Sequence, residues 1–461
     1  MSGLETDLYE IRMAVSYLRR GMTAPATFSL FPRRLPGGRG FLVAAGLADA
    51  LDFLTGFGFT GPELDWLRAE AGLRGSDLDA LAGLRFNGEV RAVPEGRLVA
   101  AGTPLLEVTA PFPQAQLVET ALLNFLTHHT AVATKAARCR LAAGGAGLID
   151  FAARRTHGLE APRAAARATA IAGFSGTSYV AGARELGIPA LGTMAHSYVQ
   201  AIGSDAAAFR AFAEDFPSAA VFLVDTFDTV AGVRHAIEVA RELGLPPERV
   251  GVRLDSGDLG TLAREARQLL DDAGFTAACI VASGGLDEYA IEELVRAGAP
   301  VDVYGVGTKV GVSADAPSLD TAYKLVSYAG RPVLKLSTGK ATLPGAKQVY
   351  RGAPGEPDLL ALRSERPPSR REPLLVPVMT GGQHVGESTV AGARRWFERD
   401  LERLPARARR LRDPAPLELV TSPALRSLAG RLGGDAAAGG RSARRRERED
   451  APGKSTLDLF G

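Results

Sequence analysis

The sequence predicts an α/β fold, with a parallel α/β barrel in the middle of the chain and a β-rich layer that draws on both ends. Three features point there. Apolar runs of four to six residues recur between residues 146 and 306, most of them followed by a helix-period stretch. Runs of that kind are parallel strands covered on both faces. Polar and glycine residues gather directly after each run, at the strand ends where barrels and open α/β sheets carry their chemistry. The flanks differ, with short strand-like pieces cut by Pro and Gly turns. A doubly wound sheet is the second choice.

Along the chain, residues 1–125 mix helical patterns with Glu89-Val90-Arg91-Ala92-Val93, the turn Pro94-Glu95-Gly96, and further strand-like pieces at 97–99 and 104–108. That spacing predicts the N-terminal part of an antiparallel layer. Residues 126–328 form the barrel segment, with strands at 146–149, 188–191, 220–224, 249–254, 277–282 and 301–304. Over 329–432, residues 331–336 and 347–350 read as strands that complete the N-terminal layer, followed by a helical extension. Residues 433–461 contain GGDAAAGG and RRRERED with almost no apolar periodicity, which predicts a disordered tail.

At 461 residues, 46% hydrophobic and 23% charged, the chain has the make-up of a globular protein of two or three domains. A net charge of +2 leaves no global field to attract nucleic acid or a membrane surface. Cys139 and Cys279 are too few for a disulfide framework or a multi-cysteine zinc site. No apolar run reaches the roughly 18 residues of a membrane span, and MSGLETDLYE lacks the apolar core of a signal peptide. A cytoplasmic location with reduced thiols is the expectation. Only seven of the 54 basic residues are Lys, and five of these, Lys309, Lys324, Lys335, Lys340 and Lys347, fall close together. Compact ammonium groups suit anionic oxygens as point charges. Chance in an Arg-rich chain explains the grouping equally well.

Anion sites stand out among the candidate functional residues. Gly305-Val306-Gly307-Thr308-Lys309 follows a strand with small residues, free backbone N–H groups and a hydroxyl, a loop that can wrap a phosphate. Ser283-Gly284-Gly285 offers the same one unit earlier. Short βα loops use glycine for turning alone, but two such loops in successive late units match the phosphate position of barrels. Arg253-Leu254-Asp255-Ser256-Gly257-Asp258 sets an Arg and two acids at one strand end, able to accept from sugar hydroxyls or to hold a hydrated Mg2+. Helix capping accounts for Asp258 but not for the whole set. His196, in Gly192-Thr193-Met194-Ala195-His196-Ser197, lies just past a strand on the same face, where catalytic and structural roles weigh equally. His128 and His129 fall in a helical stretch and read as packing.

Together these pieces resemble the nicotinate phosphoribosyltransferase family over residues 4–351. The landmarks are TDLYE at 6–10, FSLF at 28–31, RGFLVAAGL from Arg39, DFAARR at 150–155, GFSGTS at 173–178 and GTMAHS at 192–197, then DTFD, VRLDSGDL, SGG and YGVGTKV. The resemblance implies an irregular, incomplete barrel of the type II phosphoribosyltransferase kind, with a β-rich domain from both flanks. It implies a homodimer with active sites shared at the interface. The implied reaction joins nicotinate to 5-phosphoribosyl-1-pyrophosphate, giving nicotinate mononucleotide and pyrophosphate. ATP hydrolysis drives this ligase-class entry step of NAD salvage, so ATP and Mg2+ are the implied cofactors. Partners are small molecules and a second copy, with no nucleic acid and no membrane.

The resemblance also implies residue roles. Displacement at the ribose C1 passes through an oxocarbenium-like centre as pyrophosphate leaves, so the site must hold charge and exclude water. Asp255 would hold ribose hydroxyls, and Ser283, Gly284 and Gly285 with Gly307 and Thr308 would surround the 5′-phosphate. Arg154 and Arg253 would supply cations, with Lys324 of the Lys group as a further substrate-binding cation. The pyridine ring would stack between Phe151 and, from the other subunit, Tyr9. His196 matches the family's phosphorylated histidine, and Asp225 is placed to orient its imidazole. Ser178 stands where amide-preferring relatives carry an acid, and its neutral hydroxyl suits nicotinate. Ala152-Ala153 and Tyr179, which flank the ring pocket, depart from the family pattern. No protein metal site is expected. Two other readings compete. Quinolinate phosphoribosyltransferase decarboxylates its substrate, needs more basic groups and uses no ATP; chain length and GTMAHS weigh against it. A degenerate barrel that binds phosphorylated ligands without turnover needs broken acids, yet His196, Asp225 and Asp255 are present.

Overall fold

The computed structural model describes residues 2–218, 220–335, 342–386 and 388–434. Lys340 and all but the first two residues of the expected disordered tail lie outside them. Six parallel strands form one sheet in the spatial order Gly176–Thr177, Gly147–Asp150, Val303–Val306, Cys279–Ala282, Val250–Leu254, Ala220–Leu223. From Ala220–Leu223 onward each new strand adds beside the last, and Val303–Val306 then meets Gly147–Asp150, the earliest of the six. A doubly wound sheet reverses direction at a switch point. This one returns to its start as a barrel does.

The barrel is incomplete, because among the described residues no ladder joins Gly176–Thr177 to Ala220–Leu223. The strand expected at 188–191 belongs in that gap, and it shrinks to a single parallel bridge, Thr177↔Ala190. Pro189 gives the reason. It has no N–H to offer a ladder, so its carbonyl takes the Thr177 N–H at 3.1 Å and Leu191 donates back to Thr177 at 2.9 Å. The other five expected barrel strands are present, with ends moved by one or two residues. Helices Thr229–Glu242, Leu259–Asp272 and Glu288–Arg296 return the chain over the outside. Each starts at an Asp (Asp228, Asp258 and Asp287) whose side chain accepts first-turn N–H groups. Capping therefore occupies Asp258 and leaves Asp255 free.

The β-rich part does draw on both flanks. Pro25–Pro32, Leu106–Pro111 and Glu89–Ala92 form the middle of a seven-stranded sheet, extended by Thr321–Tyr328 and Arg331–Pro332 on one side and by Val376–Thr380 and Gln383–His384 on the other. The expectation fails for Lys347–Arg351, which pairs with Asp358–Leu362 and Glu372–Pro373 in a separate four-stranded sheet. The two sheets meet through buried side chains instead of a ladder: Lys347 Nζ lies 3.4 Å from Glu107 of the first sheet. The helix Glu119–Ala143 spans the division placed between residues 125 and 126. Its Ala131 packs in the N-terminal core and its Val132, Ala133 and Ala136 in the barrel core. His128 and His129 ride on this helix, and burial pushes both imidazoles down to about 4.

Candidate active site

The acids, hydroxyls and glycines that follow the barrel strands meet at one rim. Arg253 stands next to last in its strand, with its guanidinium 5.3 Å above the Phe151 ring. Its Nε donates to Ser283 Oγ at 2.7 Å, Nη1 to Thr193 Oγ1 at 3.0 Å and Nη2 to Asp255 Oδ1 at 2.6 Å. Ser283 also donates to Asp255. Burial works to raise the pKa of Asp255, but the hydrogen bonds from Ser283 and Arg253 and the charge of Arg253 outweigh it and hold the carboxyl below its usual value. Asp225 accepts the Asp255 N–H at 3.1 Å and the Ser256 hydroxyl at 2.6 Å, both on Oδ2. Its Oδ1 is buried with no donor among the described residues. An unmet buried acceptor costs about 1–3 kcal/mol, so a donor or cation arriving there is favoured.

His196 opens the helix His196–Ile202. Its Nδ1 lies 3.1 Å from Thr226 Oγ1, and its Nε2 lies 4.0 Å from Asp255 Oδ2. The expected orienting role of Asp225 is thus corrected: Thr226, the next residue, holds the imidazole, because Asp225 is turned toward the Asp255-Ser256 loop. The glycine loops close the rim. Gly284 has φ +95°, and a Cβ there would stand 2.0 Å from the Asp255 carbonyl oxygen, so a side chain is excluded. Gly305 has the Phe151 ring where a Cβ would go, 2.4 Å away. Gly285 faces open space, and Gly307 leads into the one-turn helix Thr308–Gly311. Ser178, exposed, is tied to the same region by its N–H, which donates to the Asp150 carbonyl at 2.8 Å. Arg154 is exposed in the turn Ala153–Arg155 beyond Phe151.

Two of the sequence-predicted residues lie elsewhere. Tyr9 sits on the N-terminal helix Leu8–Arg19, 48% exposed, its hydroxyl pKa raised by partial burial and by Glu119 and Glu10. Lys324 lies in the seven-stranded sheet, 4.0 Å from Glu119. Of the grouped lysines, Lys309 pairs with Asp287 at 2.8 Å and Lys347 with Glu107 at 3.4 Å, so these two do not share one anion site. Sequence reasoning missed Thr193, Thr226 and Asp150. The first two stand inside GTMAHS and DTFD, where nothing distinguishes a hydroxyl that meets an imidazole or an arginine from one that meets water. Asp150 is buried, accepts from Thr177 Oγ1 at 2.7 Å and the Ala152 N–H at 2.8 Å, and its pKa is raised by that burial. No group of three or more His, Cys, Asp or Glu side chains able to hold a metal occurs among the described residues.

Residues 4–127 match the family model for the nicotinate phosphoribosyltransferase N-terminal domain, and residues 147–343 match that for the nicotinate phosphoribosyltransferase family. The chain belongs to the nicotinate phosphoribosyltransferase family. A nicotinate phosphoribosyltransferase of Mycobacterium tuberculosis is 45% identical over 418 residues, covering 90% of each chain. That of Homo sapiens is 34% identical over 524 residues, covering 93% of this chain and 96% of its own. The crystal structure of human nicotinic acid phosphoribosyltransferase superposes with a TM-score of 0.82 at 30% identity, covering 93% of this chain and 99% of that one. Nicotinate-nucleotide pyrophosphorylase from Pyrococcus furiosus gives 0.72 at 27% identity, with 87% and 95% covered. The incomplete type II barrel with its β-rich partner is therefore the fold of this family member. Among the described residues no helix is long and apolar enough to cross a membrane.

Proposed function

We propose that this protein joins nicotinate to 5-phosphoribosyl-1-pyrophosphate and couples the step to ATP hydrolysis through phosphorylation of His196. The observation that carries the reading is the Arg253–Asp255–Ser283 cluster, set between Phe151, His196 and two glycine loops on one rim. Phe151 offers a face to the pyridine ring, and Arg253 and Arg154 a positive field to its carboxylate. Backbone N–H groups at Gly284, Gly285, Gly307 and Thr308 suit the 5′-phosphate. Asp255, ionised at neutral pH, accepts from the ribose hydroxyls. The pyridine nitrogen bonds to C1 as the C1–O bond breaks, and its electron pair leaves with pyrophosphate, whose charge Arg253 helps to balance. Mg2+ supplies further charge neutralisation there. Asp225, with its unmet Oδ1, and Asp255 are the residues that would hold it.

In the coupling step an imidazole nitrogen of His196 takes the γ-phosphoryl group as ADP leaves, and water later releases phosphate. Ser178 offers a neutral hydroxyl, which suits an acid substrate. Leu159 and Phe227 in loops and Val180 at the start of the helix Val180–Leu186 stand 85, 61 and 71% exposed, and Leu8 and Tyr9 stand 42 and 48% exposed on the N-terminal helix. These exposed apolar side chains support a homodimer in which Tyr9 of one protomer faces Phe151 of the other.

The test is one assay with phosphoribosyl pyrophosphate and Mg2+, offering nicotinate, nicotinamide or quinolinate, each with and without ATP. The expected outcome is mononucleotide from nicotinate, increased by ATP, with His196→Ala keeping a slower transfer that ATP no longer affects. ATP use unchanged in that variant would remove the phosphohistidine. Carbon dioxide released from quinolinate without ATP would shift the assignment to the decarboxylating enzyme. No product from any substrate would favour a ligand-binding protein.

A further inference from the structure

We infer that the Lys309–Asp287 ion pair is a positioning device that sets the separation of the two glycine loops, and with it the affinity of their cradle for a ribose 5-phosphate group. The inference rests on the reading of the rim given above. The strands beneath the loops are in register at Val281↔Val303 and Ala282↔Tyr304, and there the ladder stops. Beyond it the loops turn apart. The Ser283 N–H donates to the Leu254 carbonyl at 2.8 Å and Gly284 packs on the Asp255 carbonyl, toward the strand on one side. Gly307 lies against the Phe151 carbonyl, toward the strand on the other. Among the described residues no backbone hydrogen bond joins 283–287 to 305–309. The polar link between them is Lys309 Nζ to Asp287 Oδ2, at 2.8 Å.

Each end of that link is anchored. Asp287 Oδ1 accepts the Tyr289 and Ala290 N–H groups at 3.1 and 3.0 Å, which fixes the carboxylate at the start of its helix. Lys309 belongs to the one-turn helix that Gly307 opens. Below, a second tie joins the same two segments: buried Glu288 pairs with Lys135 at 2.6 Å, and Lys135 with Asp315, just past the one-turn helix, at 3.0 Å. The lower tie holds the fold. The upper one is partly open, with the Lys309 side chain 45% and the Asp287 side chain 14% exposed. Donors from two loops serve one phosphate only if they converge, and a displacement of about 1 Å is enough to weaken such a site severely.

The experiment measures ribose 5-phosphate binding by calorimetry to the full chain, to Lys309→Met, to Asp287→Asn and to the double variant, with Lys309→Arg keeping the charge. KM for phosphoribosyl pyrophosphate, kcat and KM for ATP are read from the same preparations. Asn at 287 still caps the helix, so the fold is retained. Each single change should weaken ribose 5-phosphate binding and raise KM for phosphoribosyl pyrophosphate about fivefold. The double variant should be no worse than either single one, Lys309→Arg should recover most of the loss, and kcat and KM for ATP should hold. A Lys309 that touched phosphate directly would behave differently, because Asp287→Asn would free the ammonium and binding would hold or tighten. That outcome overturns the inference, as do additive losses in the double variant or unchanged binding in Lys309→Met. The expected binding pattern in a protein that makes no mononucleotide would leave this inference standing and sink the reading of function.

Discussion

The barrel holds two clusters of acids and cations, and they are finished differently. In its wall, Glu288 is fully buried between Lys135 at 2.6 Å and Arg138 at 2.8 Å, and Asp315 joins Lys135 to Arg39. Arg138 also donates to the Tyr289 hydroxyl and the Leu411 carbonyl, so each cation meets several acceptors. On the rim, Asp255 and His196 keep 28 and 41% of their side chains exposed and stand 4.0 Å apart, and Asp225 has an oxygen with no donor. In the wall Glu288 Oε2 likewise has no hydrogen-bond partner among the described residues and meets Lys135 as an ion pair, so the contrast is one of exposure: a fully buried pair holds a shape, because a charge that lost its partner there would be stranded. Spare hydrogen-bonding capacity in a partly open cluster is where a ligand gains by arriving.

Breaking the wall should have the largest effect. Glu288→Ala leaves Lys135 and Arg138 buried with reduced pairing and should cost about 3–5 kcal/mol of unfolding free energy, measured by urea denaturation. A loss below about 1 kcal/mol would mean that solvent enters the network and the contrast with the rim is false. Asp255→Ala should invert the pattern. We expect a fall in kcat/KM of roughly 10²–10³, equivalent to about 2.7–4 kcal/mol, with little change in the unfolding midpoint. Lost stability with retained turnover would place Asp255 in the wall's class.

A third, smaller test concerns a buried histidine on the helix that also carries Lys135 and Arg138. His129 is 5% exposed, and burial lowers its pKa from about 6.5 to about 4. Between those values the unfolded chain binds the extra proton and the folded one does not, so this contribution to stability is present above about pH 6.5 and is lost as pH falls. From pH 6.5 to 5 the loss should be about 2 kcal/mol for each imidazole, and His129→Gln should remove its share of the slope while leaving that of His128. An unchanged acid slope in the variant would show that the imidazole is not held neutral by its surroundings.

Much of the architecture was legible because its signals are local. Val250–Leu254 and Ala220–Leu223 are apolar runs bounded by polar turns, and Asp228, Asp258 and Asp287 each precede a helical pattern they do cap. The strand at 188–191 was misread because its apolar residues are those of a strand while Pro189 denies it a ladder. The grouping of lysines along the chain does not carry over to the fold: Lys309 on its one-turn helix and Lys324 and Lys347 on strands face different carboxylates.

The sequence by itself determined five of the buried parallel strands, which loops carry glycine, and which acids stand at strand ends, since period, turn chemistry and capping depend on a few adjacent residues. The tertiary structure decided the partners. Arg253 and Ser283 are 30 positions apart and bonded at 2.7 Å, and His196 meets Thr226 instead of Asp225 across the same separation of 30. A hydrogen bond forms or fails within a few tenths of an ångström and depends on the direction of the donor. That accuracy arises only when strands distant in sequence are packed side by side.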